Sequence, residues 1–161
     1  MTEAITVRRF SEGDEDEVSR LIIDNLMNVV IAEYGQAAVS ELASFYSPAY
    51  VSQYARDGDM YLAVAGGRIV GTVSLQGNRV RHVFVRTDRH RQGIGRALLK
   101  HLEGIAVQHG LERLDLRGAI GATDFYRRSG YTAVREVEKN IGNARFRMVV
   151  MEKILFAAPG G

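Results

Sequence analysis

The 161-residue chain contains no cysteine, no tryptophan and only 2 prolines. The absence of cysteine excludes disulfides, thiolate metal ligands and any covalent mechanism through a protein thiol, which leaves non-covalent or hydroxyl chemistry; no metal cofactor is expected. No apolar run approaches the roughly 18 residues a membrane-spanning helix needs, and the opening MTEAITVRRF lacks a signal-peptide core, so no membrane partner and a cytoplasmic location are expected. Basic runs are also missing. The Lys and Arg residues are scattered over strands and helices with little aromatic interleaving, which argues against nucleic acid as a partner. What is present suits one compact domain. With 46% apolar and 25% charged residues, no internal repeat and no low-complexity segment, residues 1–156 are expected to form it, with 157–161 as a frayed tail.

The formal net charge of +2 conceals an uneven distribution. Residues 1–60 hold 4 basic and 11 acidic side chains, a net of −7, whereas residues 61–161 hold 17 basic and 8 acidic ones, a net of +9. An anionic ligand would favour the second part and a cationic one the first.

Periodicity divides the chain into helices and seven strands, an α+β pattern. AITVRRF (4–10) is a short β-branched strand. Asp14 to Glu17 then crowd a helix start, where carboxylates suit the dipole, with Val18, Leu21, Ile22, Leu26 and Val29 on its apolar stripe. Residues 36–56 are helical with a break at Ser47-Pro48. Strands follow at 61–65 and 68–75, joined by Gly66-Gly67 as a tight hairpin turn, and at 80–86 after a turn over 76–79. Residues 93–109 form a helix with Ile94, Leu98, Leu102 and Ile105 on one face and Gly110 as its cap. A strand over 111–117, a short helix over 123–129 capped by Thr123 or Asp124, and strands over 131–139 and 145–155 complete the series.

The segment Arg89-His90-Arg91-Gln92-Gly93-Ile94-Gly95-Arg96 lies between a strand and an amphipathic helix. Unpaired N–H groups at a helix start and the dipole, with Arg91 and Arg96 beside them, together make an anion site, with glycine allowing close approach to the backbone. A dinucleotide fold would need a third glycine where Leu98 stands and a parallel unit opening the chain, and no GxxxxGK[ST] string is present.

Three stretches, VFVRTDRHRQGIGRALL, ATDFYRRSGY and GRIVGTVSL, together with the element order over residues 2–155, resemble the GNAT superfamily of acetyl-CoA-dependent N-acetyltransferases. The resemblance implies a mostly antiparallel mixed sheet with flanking helices and a V-shaped cofactor cleft. It implies that the amides of Arg91, Gln92, Gly93, Ile94, Gly95 and Arg96 bind the pyrophosphate of coenzyme A. The backbone of Val83, Phe84 and Val85 would pair with its pantetheine arm, as a strand adds to a sheet edge. Two positions depart from the family pattern. His90 stands where Gln or Arg is usual, and Ala119 stands where Asn is usual, which removes one side-chain hydrogen bond.

Acetyl transfer to an amine needs a neutral nucleophile, a stabilised oxyanion and a protonated leaving thiolate. By the resemblance Tyr126 is the general acid, and a backbone N–H near Phe84 or Val85 stabilises the oxyanion. His82, with its near-neutral unperturbed pKa, is the candidate base. Glu33 and Tyr34, or a water relay, are the alternatives. The acceptor is a primary amine of a small molecule or a peptide, and a cationic one would be drawn to Glu33, Glu41, Asp57 and Asp59. Ala119 and the unsettled base motivate the rival reading, a coenzyme A sensor or partner-docking module. The exposed ends of the closing strands fit a homodimer.

Overall fold

The computed structural model describes residues 4–155. Seven strands form one sheet in the order β1-β2-β3-β4-β5-β7-β6. These are β1 (Ile5–Arg9), β2 (Asp59–Ala65), β3 (Arg68–Gln76), β4 (Arg79–Val85), β5 (Arg113–Ala119), β6 (Thr132–Ile141) and β7 (Ala144–Ile154). Every neighbouring pair is antiparallel except β4 and β5. That one parallel pair needs a long crossover, which α5 (Ile94–Gln108) supplies. The expected tail lies outside the described residues, and among those described no helix is long and apolar enough to cross a membrane.

Helices cover the sheet on both sides. On one face α5 buries Leu98, Leu99 and Leu102 against Val70, Val73, Leu114 and Leu116, with α6 (Thr123–Arg128) at its edge. Gly71 permits this contact, since a Cβ there would stand 2.8 Å from Leu98 Cδ1. On the other face α1 (Glu15–Asn25) and α4 (Pro48–Asp57) bury Val18, Ile22 and Val51 against Met60, Leu62 and Ile69. The hairpin turn forms as expected, with φ of +58° and +74° at Gly66 and Gly67.

Several boundaries differ from the sequence reading for identifiable reasons. The first helix continues past α1 through a π-helical turn (Leu26–Val30) into α2 (Ile31–Tyr34), followed by α3 (Gln36–Ala43). The wider turn rotates the stripe, so Val29 is exposed rather than buried. β5 starts two residues late because the Leu111 N–H is used by the α5 terminus, donating to Ala106 O at 3.0 Å beside Gly110 in the left-handed region. Neither Thr123 nor Asp124 caps α6. Thr123 instead donates its hydroxyl to Ile120 O at 2.9 Å, and Ala122 holds the cap position.

Candidate active site

β4 and β5 pair only at Arg79↔Asp115 and Val80↔Leu116 and diverge beyond that point. The gap is framed by the rest of β4, by residues 117–119 of β5, and by the loop between β4 and α5. Register shifts between β3 and β4 after Thr72, where His82 takes φ +54°, an unusual value for a non-glycine residue.

Arg86 N–H donates to Val70 O at 2.8 Å, so by antiparallel alternation Val85 turns its own polar groups away from β3. The Val85 carbonyl accepts from Asn25 Nδ2 at 2.8 Å and lies 3.0 Å from His90 Nε2. Asn25 is a buried side chain of α1 that the sequence reading passed over, because nothing in a helical stripe signals a hydrogen bond to a distant strand. His90, the departure from the family loop, thus holds a backbone acceptor of the same strand.

The loop after β4 turns sharply. Arg91 and Gly93 both lie in the left-handed region, at φ +65° and +80°, and nothing stands within 4 Å of where a Gly93 Cβ would be. The α5 ladder opens with Ala97 N–H donating to Gly93 O at 3.0 Å, leaving the N–H groups of Ile94, Gly95 and Arg96 without helical acceptors. Arg91, Gln92, Gly93 and Arg96 are exposed, whereas Ile94 and Gly95 are buried. Two of these residues have structural tasks the sequence did not reveal. A Cβ on Gly95 would stand 2.9 Å from Phe125 Cζ, so that glycine is required for helix packing. Arg96 donates to the Arg128 carbonyl at 2.9 Å, tying α5 to the end of α6.

Tyr126 is buried, with its ring over Gly118, where a Cβ would lie 3.0 Å from Tyr126 Cε2. Phe125 and Tyr131 flank it edge-on, with ring centroids 5.1 and 6.0 Å away. Burial pushes the Tyr126 phenol well above its ordinary range, which keeps it protonated at neutral pH. Gly118 was missed because its importance comes from a neighbour distant in sequence.

His82 does not have the near-neutral pKa on which its candidacy as a base rested. It is buried on the α1 and α4 face, edge-on to Tyr54 at 4.3 Å and Tyr46 at 5.7 Å, and burial followed by the charge of Arg81 lowers its pKa to about 3. Its Nδ1 lies 3.3 Å from Ser74 Oγ, and its Nε2 and the Tyr54 hydroxyl are buried without partners among the described residues. Tyr46, in the same cluster, has its phenol pushed up to about 12, mainly by burial.

The alternatives to His82 sit at the end of α2. Glu33 Oε1 accepts from Gly121 N–H at 3.1 Å, just past β5. Tyr34 donates its hydroxyl to the Arg147 carbonyl and packs edge-on against Phe146, with centroids 4.9 Å apart. Burial first, then Glu33, raises the Tyr34 phenol to about 12. The other carboxylates expected to attract a cation are engaged locally. Glu41 accepts from Asn143 N–H at 3.1 Å, Asp57 from Gln53 at 3.1 Å, and Asp59 pairs with Arg9 at 2.6 Å. Among the described residues no group of His, Asp and Glu could hold a metal ion.

A sheet with one parallel pair splayed at its centre, and a left-handed loop opening a helix beside the gap, matches the mixed sheet and cofactor cleft that the GNAT resemblance implies. The model of the acetyltransferase (GNAT) domain family matches residues 30–155, and the chain belongs to that family. No curated protein sequence matches it. Among solved structures it is similar to a GCN5-related N-acetyltransferase of Rhodopseudomonas palustris, with 19% identity and a TM-score of 0.89 over 96% of this chain and 98% of that one. It is also similar to the PaiA N-acetyltransferase of Thermoplasma acidophilum in complex with coenzyme A, with 17% identity and a TM-score of 0.78 over 94% and 99% of the two chains. An aminoglycoside 6'-N-acetyltransferase complexed with coenzyme A matches at 17% identity and a TM-score of 0.65, over 96% and 99% of the two chains.

Proposed function

We propose that the protein is a single-domain, cytoplasmic N-acetyltransferase that moves the acetyl group of acetyl-CoA to a primary amine of a small molecule or peptide. The divergence of β4 and β5 beyond Val80 and Leu116, with Tyr126 held against Gly118 at its border, carries this reading. The free amides of residues 91–96 suit a pyrophosphate, and the outward edge of Val83 and Val85 suits the amides of a pantetheine arm. An N–H near Phe84 or Val85 is the dipole offered to the oxyanion.

The reaction balances without a covalent enzyme intermediate. The neutral amine attacks the thioester carbonyl carbon, the C–N bond forms, and the C–S bond breaks as the tetrahedral centre collapses. The departing thiolate takes the phenolic proton of Tyr126, whose raised pKa keeps that proton available, and solvent restores it. The amine loses its proton to Glu33 or to water. His82, held neutral and enclosed, is removed from that role. Asn25 and His90 fix the Val85 carbonyl, so the strand edge is preset before a donor arrives.

Free-thiol release with acetyl-CoA and a panel of amines tests the reading, together with thermal denaturation in coenzyme A. A ligand that binds only the folded state should add about 2.7 kcal/mol at 100 times its Kd. Saturable thiol release is expected. Stabilisation without turnover on any amine or peptide would instead favour a coenzyme A sensor, the reading to which Ala119 and the unsettled base point.

A further inference from the structure

The side of the gap opposite α5 is cationic. Val80 faces α5, so Arg79 and Arg81 project from the other side of β4, where the Arg81 guanidinium lies 5.4 Å from the centre of the Tyr54 ring. On β5, Leu114, Leu116 and Gly118 are buried towards α5 and α6, which leaves Asp115 and Arg117 on the same side as Arg81. The register then carries this surface outward. Arg117 stands opposite Val150, Ala119 opposite Met148, and Phe146 opposite Lys139. The result is an apolar strip of Phe146, Met148 and Val150, with Tyr34 of α2 over its Phe146 end.

Charge on this surface is unbalanced. Arg79 is neutralised by Asp115 at 3.1 Å, and Arg81 is held by a neutral partner, Gln76 Oε1, at 3.0 Å. None of the ion pairs among the described residues involves Arg81, Arg117 or Lys139. Lys139 is held below its ordinary range, first by partial burial and then by the like charges of Arg81, Arg117 and Arg79. Beside Arg81 lie the unpartnered Tyr54 hydroxyl and His82 Nε2, both buried. Glu33 and Glu41 accept backbone N–H groups, and the carboxylates that the register places on this face are Asp115, paired with Arg79, and Glu152 opposite it on β7. Three cations on one face, none of them in an ion pair, disfavour a polyamine and attract an anion.

We propose that the acceptor is an amine that also carries an anionic group, a carboxylate or a phosphate, and that Arg81, Arg117 and Lys139 recognise this group while the amine points into the β4–β5 gap. This rests on the acetyltransferase reading and reverses the expectation of a cationic acceptor.

The test uses matched probes on the full chain in saturating coenzyme A for binding and in acetyl-CoA for turnover. Glutamate is compared with glutaminamide and phosphoethanolamine with ethanolamine, with spermidine as the cationic control. The expected result is at least about tenfold tighter binding of the anionic member of a pair, expressed in KM rather than kcat where turnover occurs, and the double variant R117Q/K139Q should abolish that preference. A preference within the glutamate pair alone identifies the group as a carboxylate, and one within the phosphoethanolamine pair alone as a phosphate. Equal binding within both pairs, tighter binding of spermidine, or a preference that survives R117Q/K139Q would overturn the proposal. Because binding is read separately, a protein that binds anionic amines without thiol release would sink the acetyltransferase reading and leave this one standing. A protein that acetylates neutral and anionic amines alike would do the reverse.

Discussion

On the α5 side the gap between β4 and β5 is bordered by backbone: a left-handed loop, the open start of a helix, and a strand edge whose carbonyl is already aligned. On the α1 and α4 side it is bordered by side chains drawn from five separate elements, among them Tyr34, Tyr54, His82, Arg117 and Phe146. The first border depends on φ angles and hydrogen-bonding groups common to every residue, so it can bind the same donor with varied side chains. The second depends on which side chains happen to meet, so there a single substitution can change the acceptor. A scaffold built this way holds its donor constant and lets its acceptor diverge.

The strongest test of the donor border is Tyr126→Phe, which keeps the ring over Gly118 and removes only the proton. Turnover should fall by about 10² to 10⁴ with coenzyme A affinity little changed, as measured by thiol release and titration. A variant as active as the parent would show that the phenol is only a packing group.

On the acceptor border the largest effect expected is on stability. With its pKa near 3 in the fold and about 6.5 unfolded, His82 stays neutral in the native protein while the unfolded chain takes up a proton. Its contribution is therefore complete above about pH 6.5 and is lost as pH falls towards 3, with a slope approaching about 1.4 kcal/mol per pH unit. Urea midpoints for the parent should drop more between pH 7 and pH 5 than those of His82→Phe. Equal slopes would mean that the imidazole is not held neutral.

Gly95→Ala and Gly104→Ala separate packing from helix propensity within α5. At Gly95 the added methyl meets Phe125 at 2.9 Å, and overpacking should cost about 1–3 kcal/mol. At Gly104 nothing stands within 4 Å, so the same change should gain about 0.5–1 kcal/mol. Opposite shifts in urea midpoint would confirm that the second glycine of the loop serves Phe125.

How far the sequence disclosed these features follows from the same difference between the borders. Gly66-Gly67, the arginine and glycine loop, and the strand runs of β2 to β4 are local patterns, and each appears where it was expected. Gly118, Asn25 and the surface around Arg117 were not legible, because their roles arise from register between strands far apart in the chain. His82 was misread for a related reason. Its residue type suggests a titrating base, but burial against Tyr46 and Tyr54, brought in by α3's following turn and by α4, and then the charge of Arg81 disfavour its protonation. Val29 followed an α-helical period that the π-helical turn interrupts.

Asn25→Ala is the smallest change with a bearing on whether the two borders are independent. Asn25 is the side chain of the α1 face that reaches the donor strand, donating to Val85 O at 2.8 Å and to its own helix at Leu21 O at 3.2 Å. Its loss leaves the Val85 carbonyl with His90, so the destabilisation should be about 0.5–1.5 kcal/mol rather than that of an unpaired buried acceptor. If the borders are independent, coenzyme A affinity should be unchanged at a urea midpoint that has moved. A marked loss of coenzyme A affinity would mean that α1 tunes the donor strand from the acceptor side. In that case an anionic amine and coenzyme A would each change the binding of the other through Asn25 by the same factor, and the double variant N25A/H90A would bring that factor to one.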